Sequence, residues 1–299
     1  MEDKLLVGNN ALRSDEALDS FERAMKDLYD RKFWWPGNYK EKLSPRFMEL
    51  TKAYIDSLTD FVLDYYWYEQ EKLSVAGFLK MCLRKIFLIV SGGRIALKKP
   101  LTHEPMRVAI LDREVFYKKT RRYLWEIFCE MGIESQNLIL DQLLLPFHVN
   151  RMEHYFGENA ECFVVERDPR DVYISNKYVW TGMDCPIPYP QDVWDFCGYY
   201  KKLRKIQQAT KNPHVHKIQF EDLLYHYEAS VAEMEGILGL LPKDHIRARE
   251  LLNPERSIHN TQLFRREEYC EEMAVIEKEL SDYLYEFPYE REIDMKKVF

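Results

Sequence analysis

Apolar residues recur at helical spacing in the first third of the chain, and short apolar runs alternate with helical stretches in the rest. Leu5-Leu6-Val7 predicts a short strand or extended entry, with turn material at Gly8-Asn9-Asn10. Ser14 caps a predicted helix over residues 14–29, whose apolar face is Leu18, Phe21, Met25 and Leu28. A second helix, from Ser44 or Pro45 to Tyr68, carries Tyr54, Ile55, Leu58, Phe61, Val62 and Tyr65 at helical spacing. Residues 73–90 predict a third, stopped by Ser91-Gly92-Gly93. From Met106 the pattern alternates. Strands are expected at 107–111, 137–140, 162–165 and 215–220, and helices at 113–131, 146–155 and 192–208. Asp222 caps a further helix with a core stripe of Tyr227, Val231, Met234 and Leu238, terminated by Gly239. Residues 270–284 form an acidic amphipathic helix expected to pack on the sheet. Strands alternating with helices predict an α/β class with a parallel sheet.

The compact run Cys162 to Val165 has the composition of a strand buried on both faces. Asp168-Pro169 then starts a helix, because aspartate accepts from free first-turn amides and proline fits the first helical position. Arg167 falls at the carboxyl end of the strand, where open α/β sheets bind ligands. Ser175 lies seven residues after Asp168, on the helix face that looks back to the turn. A guanidinium and a hydroxyl aimed at one point make a phosphate site. The competing reading is a charged turn in which Arg167 and Arg170 pair with Asp168 and Asp171.

Arg167-Asp-Pro-Arg-Asp-Val-Tyr-Ile-Ser175 resembles the 3′-phosphate-binding segment of sulfotransferases that use 3′-phosphoadenosine 5′-phosphosulfate (PAPS). Leu140-Asp141-Gln142 with Pro146, Gln219-Phe220-Glu221-Asp222-Leu223, and Asn253-Pro254-Glu255-Arg256-Ser257-Ile258-His259-Asn260 are similar, in order and spacing, to bacterial polysaccharide-type members. The resemblance covers residues 137–285 well and the earlier part loosely. It implies one domain over 1–299, helical in 1–105 and α/β in 106–299, with a P-loop NTPase-like sulfotransferase fold: a parallel sheet between helical layers. It further implies that Arg167 and Ser175 hold the 3′-phosphate and that a segment bearing Arg256, Ser257 and Asn260 folds over the nucleotide. PAPS would be the co-substrate, without a metal, and the acceptor a hydroxyl, by resemblance that of a polysaccharide.

For the proton acceptor, Asp141 is favoured by its expected place at a strand end, and His148 by a proton affinity closer to neutrality. The chain departs from the family in one respect. A 5′-phosphosulfate loop is not found: Ser91-Gly92-Gly93-Arg94 follows a helix and reads as a turn, and Gly8 to Ser14 runs into Asp15 and Glu16. The expectation is that the first strand and loop lie upstream of Met1; the rival is a degenerate enzyme, a non-catalytic nucleotide-binding or scaffold protein. A P-loop kinase is weaker, since Asp141 is the one well-placed carboxylate for magnesium.

Composition narrows the partners. A net charge of −7 argues against a general nucleic-acid binder, which needs a basic surface. The six cysteines include no Cys-x-x-Cys pair, so neither a zinc site nor a disulfide framework is indicated, and a cytoplasmic location is expected. No signal peptide is expected from the residues at the given start, and Ile86 to Val90 is far too short to span a bilayer; a peripheral membrane association stays open. Trp34-Trp35 and Tyr65-Tyr66-Trp67-Tyr68 suit core packing or sugar stacking. Lys201, Lys202, Arg204 and Lys205 suit a solvated face or a polysaccharide patch. His214 and His216 share a strand face but lack a third metal ligand.

Overall fold

A computed structural model of the chain describes residues 1–6, 14–32, 37–64, 74–94, 106–133, 137–141, 144, 146–181, 189–208 and 211–298. Trp34-Trp35, the aromatic run 65–68, Gln142 and most of the loop expected over 180–190 lie outside them. The described chain is mostly helical, with two small two-stranded sheets. It divides into two compact units, Met1–Ile139 and Leu140–Phe299.

The first unit holds α1 (Glu2–Leu6), α2 (Ser14–Asp30), α3 (Tyr39–Lys42), α4 (Phe47–Leu58), β1 (Phe61–Leu63), α5 (Val75–Val90), β2 (Met106–Val108) and α6 (Arg113–Glu130). α1 is helical where an extended entry was expected, with Leu5 N–H donating to Met1 O. Leu18, Tyr54, Ile55, Leu58 and Phe116 are buried where α2, α4 and α6 meet. Tyr54 stacks on Tyr123 at 4.5 Å between centroids, and Phe21 meets both edge-on. Their hydroxyls would be costly to bury alone. Tyr54 pairs with Thr120 at 2.7 Å and Tyr123 with Thr51 at 2.8 Å.

The helix expected over 44–68 stops at Leu58. Asp60 N–H donates to Val108 O and Asp60 Oδ2 accepts from Ile110 N, which turns residues 61–63 into a strand antiparallel to β2. Short apolar runs carry no period of their own, so pairing across the chain decides. Ser14 Oγ accepts from Ala109 N and donates to Arg107 O, tying α2 to β2. These contacts, with α6 packed on α4, hold the first unit together. α5 ends as its glycines require: Gly92 and Gly93 have φ of 60° and 83°, and Gly93 N–H closes onto Leu88 O.

The second unit begins with a 3₁₀ turn (Pro146–Arg151) and α7 (Met152–Phe156), then β3 (Cys162–Glu166), α8 (Pro169–Ile174) and a π turn (Ser175–Trp180). α9 (Val193–Gln208), β4 (Val215–Gln219), α10 (Asp222–Tyr225), α11 (Tyr227–Leu238), α12 (Pro254–Ser257) and α13 (Cys270–Glu279) follow. β3 and β4 are parallel, in register from Cys162 opposite Val215 to Glu166 opposite Gln219. Three strand expectations need correction. Residues 137–140 pair with no strand among the described residues, and Ile139 is 97% exposed. β2 belongs to the antiparallel pair of the first unit. β3 is not buried on both faces, since Val165 is exposed. Among the described residues the parallel sheet is thus two strands, without the wider layered sheet expected.

The core of this unit lies among helices. Tyr173, Ile174, Phe196, Tyr200, Leu263, Met273, Ile276 and Leu280 form one buried cluster, so α13 packs on α8 and α9 rather than on the sheet. α11 contributes less than its periodicity promised: Tyr227 is buried, but Leu238 is exposed beside Gly239, whose φ of 65° ends the helix. Ile276→Ala should cost about 2–5 kcal/mol in urea unfolding, since its side chain is fully enclosed and its loss leaves a cavity.

Candidate functional site

The turn after β3 is built on three buried carboxylates. Asp168 caps α8 as its sequence requires, accepting from Arg170 N at 2.8 Å. Its oxygens also take Arg170 Nε at 3.0 Å, Arg170 Nη2 at 2.8 Å and Tyr285 N at 2.9 Å. Glu221, at the end of β4, accepts from Asp168 N at 2.9 Å and Gln219 Nε2 at 2.8 Å, which fastens one strand end to the other. Burial pushes the Glu221 carboxyl above its ordinary range. Asp171, with no exposed surface, accepts from Gln262 N and Leu263 N, both at 2.7 Å. Burial pushes its pKa up to about 7, outweighing the nearby Arg167 charge.

Gln262 completes the corner. It has a φ of 62°, uncommon for a residue with a side chain, and is fully buried. Its amide donates to Tyr225 Oη and Tyr289 O and accepts from Arg291 N. Those bonds hold a conformation that would otherwise be strained.

The charged-turn reading is half realised. Arg170 pairs with Asp168 and lies 3.9 Å over the Phe264 ring. Arg167 takes a different course. Its Nη2 donates to Asn260 O, its own carbonyl accepts from Tyr200 Oη at 3.1 Å, and its guanidinium sits 5.3 Å from the Phe220 ring centre. Its Nε is buried and has no hydrogen-bond partner among the described residues, and the same holds for Ser175 Oγ. Ser175 begins the π turn after α8, a local widening that is frequent at functional sites.

Arg167 opens onto a cleft of about 240 Å³ at the carboxyl ends of β3 and β4, lined also by Glu166, Tyr200, Arg204, Gln219 and Tyr285. Ser175, Arg256, Ser257, Asp141 and His148 do not line it. The structure brings the 253–260 segment to Arg167 through the Asn260 carbonyl, while Arg256 is exposed and Ser257 half-buried on α12. Asp141 is exposed in a bend, without the strand that was to position it, and His148 is half-buried in the 3₁₀ turn. A larger groove of about 440 Å³ is lined by Pro254 and Glu255 of α12 and by Ile258 just after it, but by neither Arg167 nor Ser175.

Arg204 corrects the picture of a solvated basic face. It is buried, ion-paired to Glu166 at 2.5 Å and bonded to Gln207 and Tyr200, while Lys201 pairs outward with Glu279. Its sequence signal was the buried stripe Phe196, Tyr200, Leu203 and Gln207, beside which Arg204 falls. Tyr285 carried no such signal: it reaches the cleft from an irregular segment, and its hydroxyl donates to Asp222 at 2.7 Å. Glu161 explains the paired histidines, with one carboxylate oxygen 2.9 Å from His214 Nδ1 and the other 2.6 Å from His216 Nε2. These contacts hold the Glu161 carboxyl below its ordinary range.

No protein-family model, no curated protein and no solved structure matches the chain.

Asp171→Asn should destabilise the chain by about 1–3 kcal/mol in urea unfolding at neutral pH, because one of two buried amides loses its acceptor. Between about pH 4 and 7 the folded chain keeps a proton on Asp171 that the unfolded chain has released. The contribution of this group to stability is therefore largest below about pH 4 and falls as pH rises toward 7. The difference in unfolding free energy between the parent chain and Asp171→Asn, followed across that range, should show this slope.

Proposed function

We propose that the chain is a sulfotransferase of the PAPS-dependent kind, on a P-loop NTPase-like fold, with Arg167 and Ser175 as the anchor for the 3′-phosphate. The observation that carries this reading is the pair of buried donors, Arg167 Nε and Ser175 Oγ, without hydrogen-bond partners among the described residues at the two positions the motif singles out. A buried donor without a partner costs free energy, and such groups are expected where a ligand supplies the acceptor. The cleft beside Arg167 lies at the carboxyl ends of parallel strands, and the Asn260 carbonyl draws the 253–260 segment against it. In this reading Arg256, Ser257 and Asn260 close over the nucleotide.

Bound there, PAPS would supply the sulfuryl group. The acceptor hydroxyl, by resemblance one of a polysaccharide, would form its bond to sulfur as the bond from sulfur to the 5′-phosphate oxygen breaks. Asp141 or His148 would take the hydroxyl proton. Arg167 and Ser175 would fix the nucleotide, converting its binding energy into alignment rather than taking part in the transfer. A second reading is favoured by one observation: neither proton acceptor lines the cleft that holds Arg167. On that reading the chain is a non-catalytic nucleotide-binding or scaffold protein descended from such an enzyme.

Adenosine 3′,5′-bisphosphate should raise the melting temperature of the chain, and ATP and adenosine 5′-phosphate should not, because a ligand selective for the folded form stabilises it. Arg167→Ala should weaken that binding by about tenfold or more, as expected for a lost charged hydrogen bond. Ser175→Ala separates binding from stability. Without ligand it should be neutral or slightly stabilising, since it removes a buried hydroxyl with no partner, yet it should weaken the bisphosphate several-fold. Bisphosphate affinity equal to that for ATP, or unchanged in Arg167→Ala, would overturn the assignment. Turnover unaffected in both Asp141→Asn and His148→Ala would leave neither as the base.

A further inference from the structure

α5 is built the wrong way round for a helix of a water-soluble surface. Its least exposed positions are Gly77, Met81 and Arg84, which recur at spacings of four and three and so mark the one stripe turned inward. At about 100° per residue, Val75, Phe78, Leu79, Ile86, Ile89 and Val90 fall within an arc of about 120° on the opposite side. All six are exposed, Ile89 at 70% and Val90 at 80%. Soluble chains scatter exposed apolar residues singly; a contiguous apolar face marks a surface that something covers.

Charge says what covers it. Between Glu71 and Glu104 the chain has no acidic residue, yet it carries Lys72, Lys80, Arg84, Lys85, Arg94, Lys98 and Lys99, in a protein whose net charge is −7. On α5, Lys85 stands at one rim of the apolar arc and Lys80 beyond the other, where long side chains can reach headgroups while the arc enters the acyl boundary. Sixteen residues give a helix about 24 Å long, short of a bilayer core, and no helix among the described residues is long and apolar enough to cross a membrane. A helix of this kind lies along a bilayer.

We propose that α5 is an interfacial membrane anchor that docks the protein on an anionic lipid surface. The proposal is independent of the nucleotide reading. The whole chain should co-float with mixed phosphatidylcholine–phosphatidylglycerol vesicles and only weakly with phosphatidylcholine alone. Ile86→Glu should reduce vesicle binding by about tenfold or more, since it places a charge in the middle of the apolar arc. Lys80→Gln with Lys85→Gln should reduce binding to the anionic vesicles by a similar factor and leave the weak binding to neutral ones unchanged. All three positions are exposed, so far-UV circular dichroism and the melting temperature should match the parent chain. Failure to co-float with anionic vesicles, or binding indifferent to both variants, would overturn the proposal. So would a lipid-free dimer in light scattering that Ile86→Glu dissolves, because the apolar arc would then belong to a second copy of the chain.

Discussion

Three carboxylates that water does not reach hold the second unit together. Asp168, Asp171 and Glu221 sit within five residues of the ends of two parallel strands, and each is satisfied by backbone amides or neighbouring side chains rather than by solvent. A buried carboxylate without such partners would cost several kcal/mol, so the segments that donate to it are constrained to come to it. Gln262, Leu263 and Tyr285 are the donors, drawn from parts of the chain roughly ninety to a hundred and twenty residues away. The arrangement leaves Arg167 uncommitted to any of the three.

The sequence made some of this legible and concealed the rest for identifiable reasons. β3, the Asp168-Pro169 helix start, α9 and the glycine stops at 92–93 and 239 follow from local rules: a short apolar run, a cap, a stripe, a positive φ. The split of residues 44–68 into α4 and β1 does not, because Asp60 and Val108 must first meet. The same holds for residues 137–140, an apolar run with no strand beside it among the described residues. Of the candidate site, Arg167 and Ser175 follow from spacing and resemblance, while the unpartnered state of Arg167 Nε and Ser175 Oγ among the described residues is a property of the folded chain. Arg204 escapes local rules because a basic cluster reads as solvated unless the neighbouring apolar stripe is counted with it. Tyr285 and Gln262 were invisible, since irregular segments carry no period that could place them.

The two units distribute polar groups differently. In the first, tyrosine and threonine hydroxyls pair inside a helical core, and Asp15 is a carboxylate buried at the start of α2. In the second, buried ion pairs are concentrated at one corner, Arg170 with Asp168 and Arg204 with Glu166.

The bonds of Gln262 and Asp168 carry one more consequence. Tyr285 N–H, Tyr289 O and Arg291 N–H, within a stretch of seven residues, each engage a side chain at the corner that holds Arg167. Peeling that stretch away would uncover a carboxylate oxygen and both ends of an amide in one motion. The tail therefore works as a latch: whatever loosens residues 285–291 also loosens the ground on which the guanidinium stands.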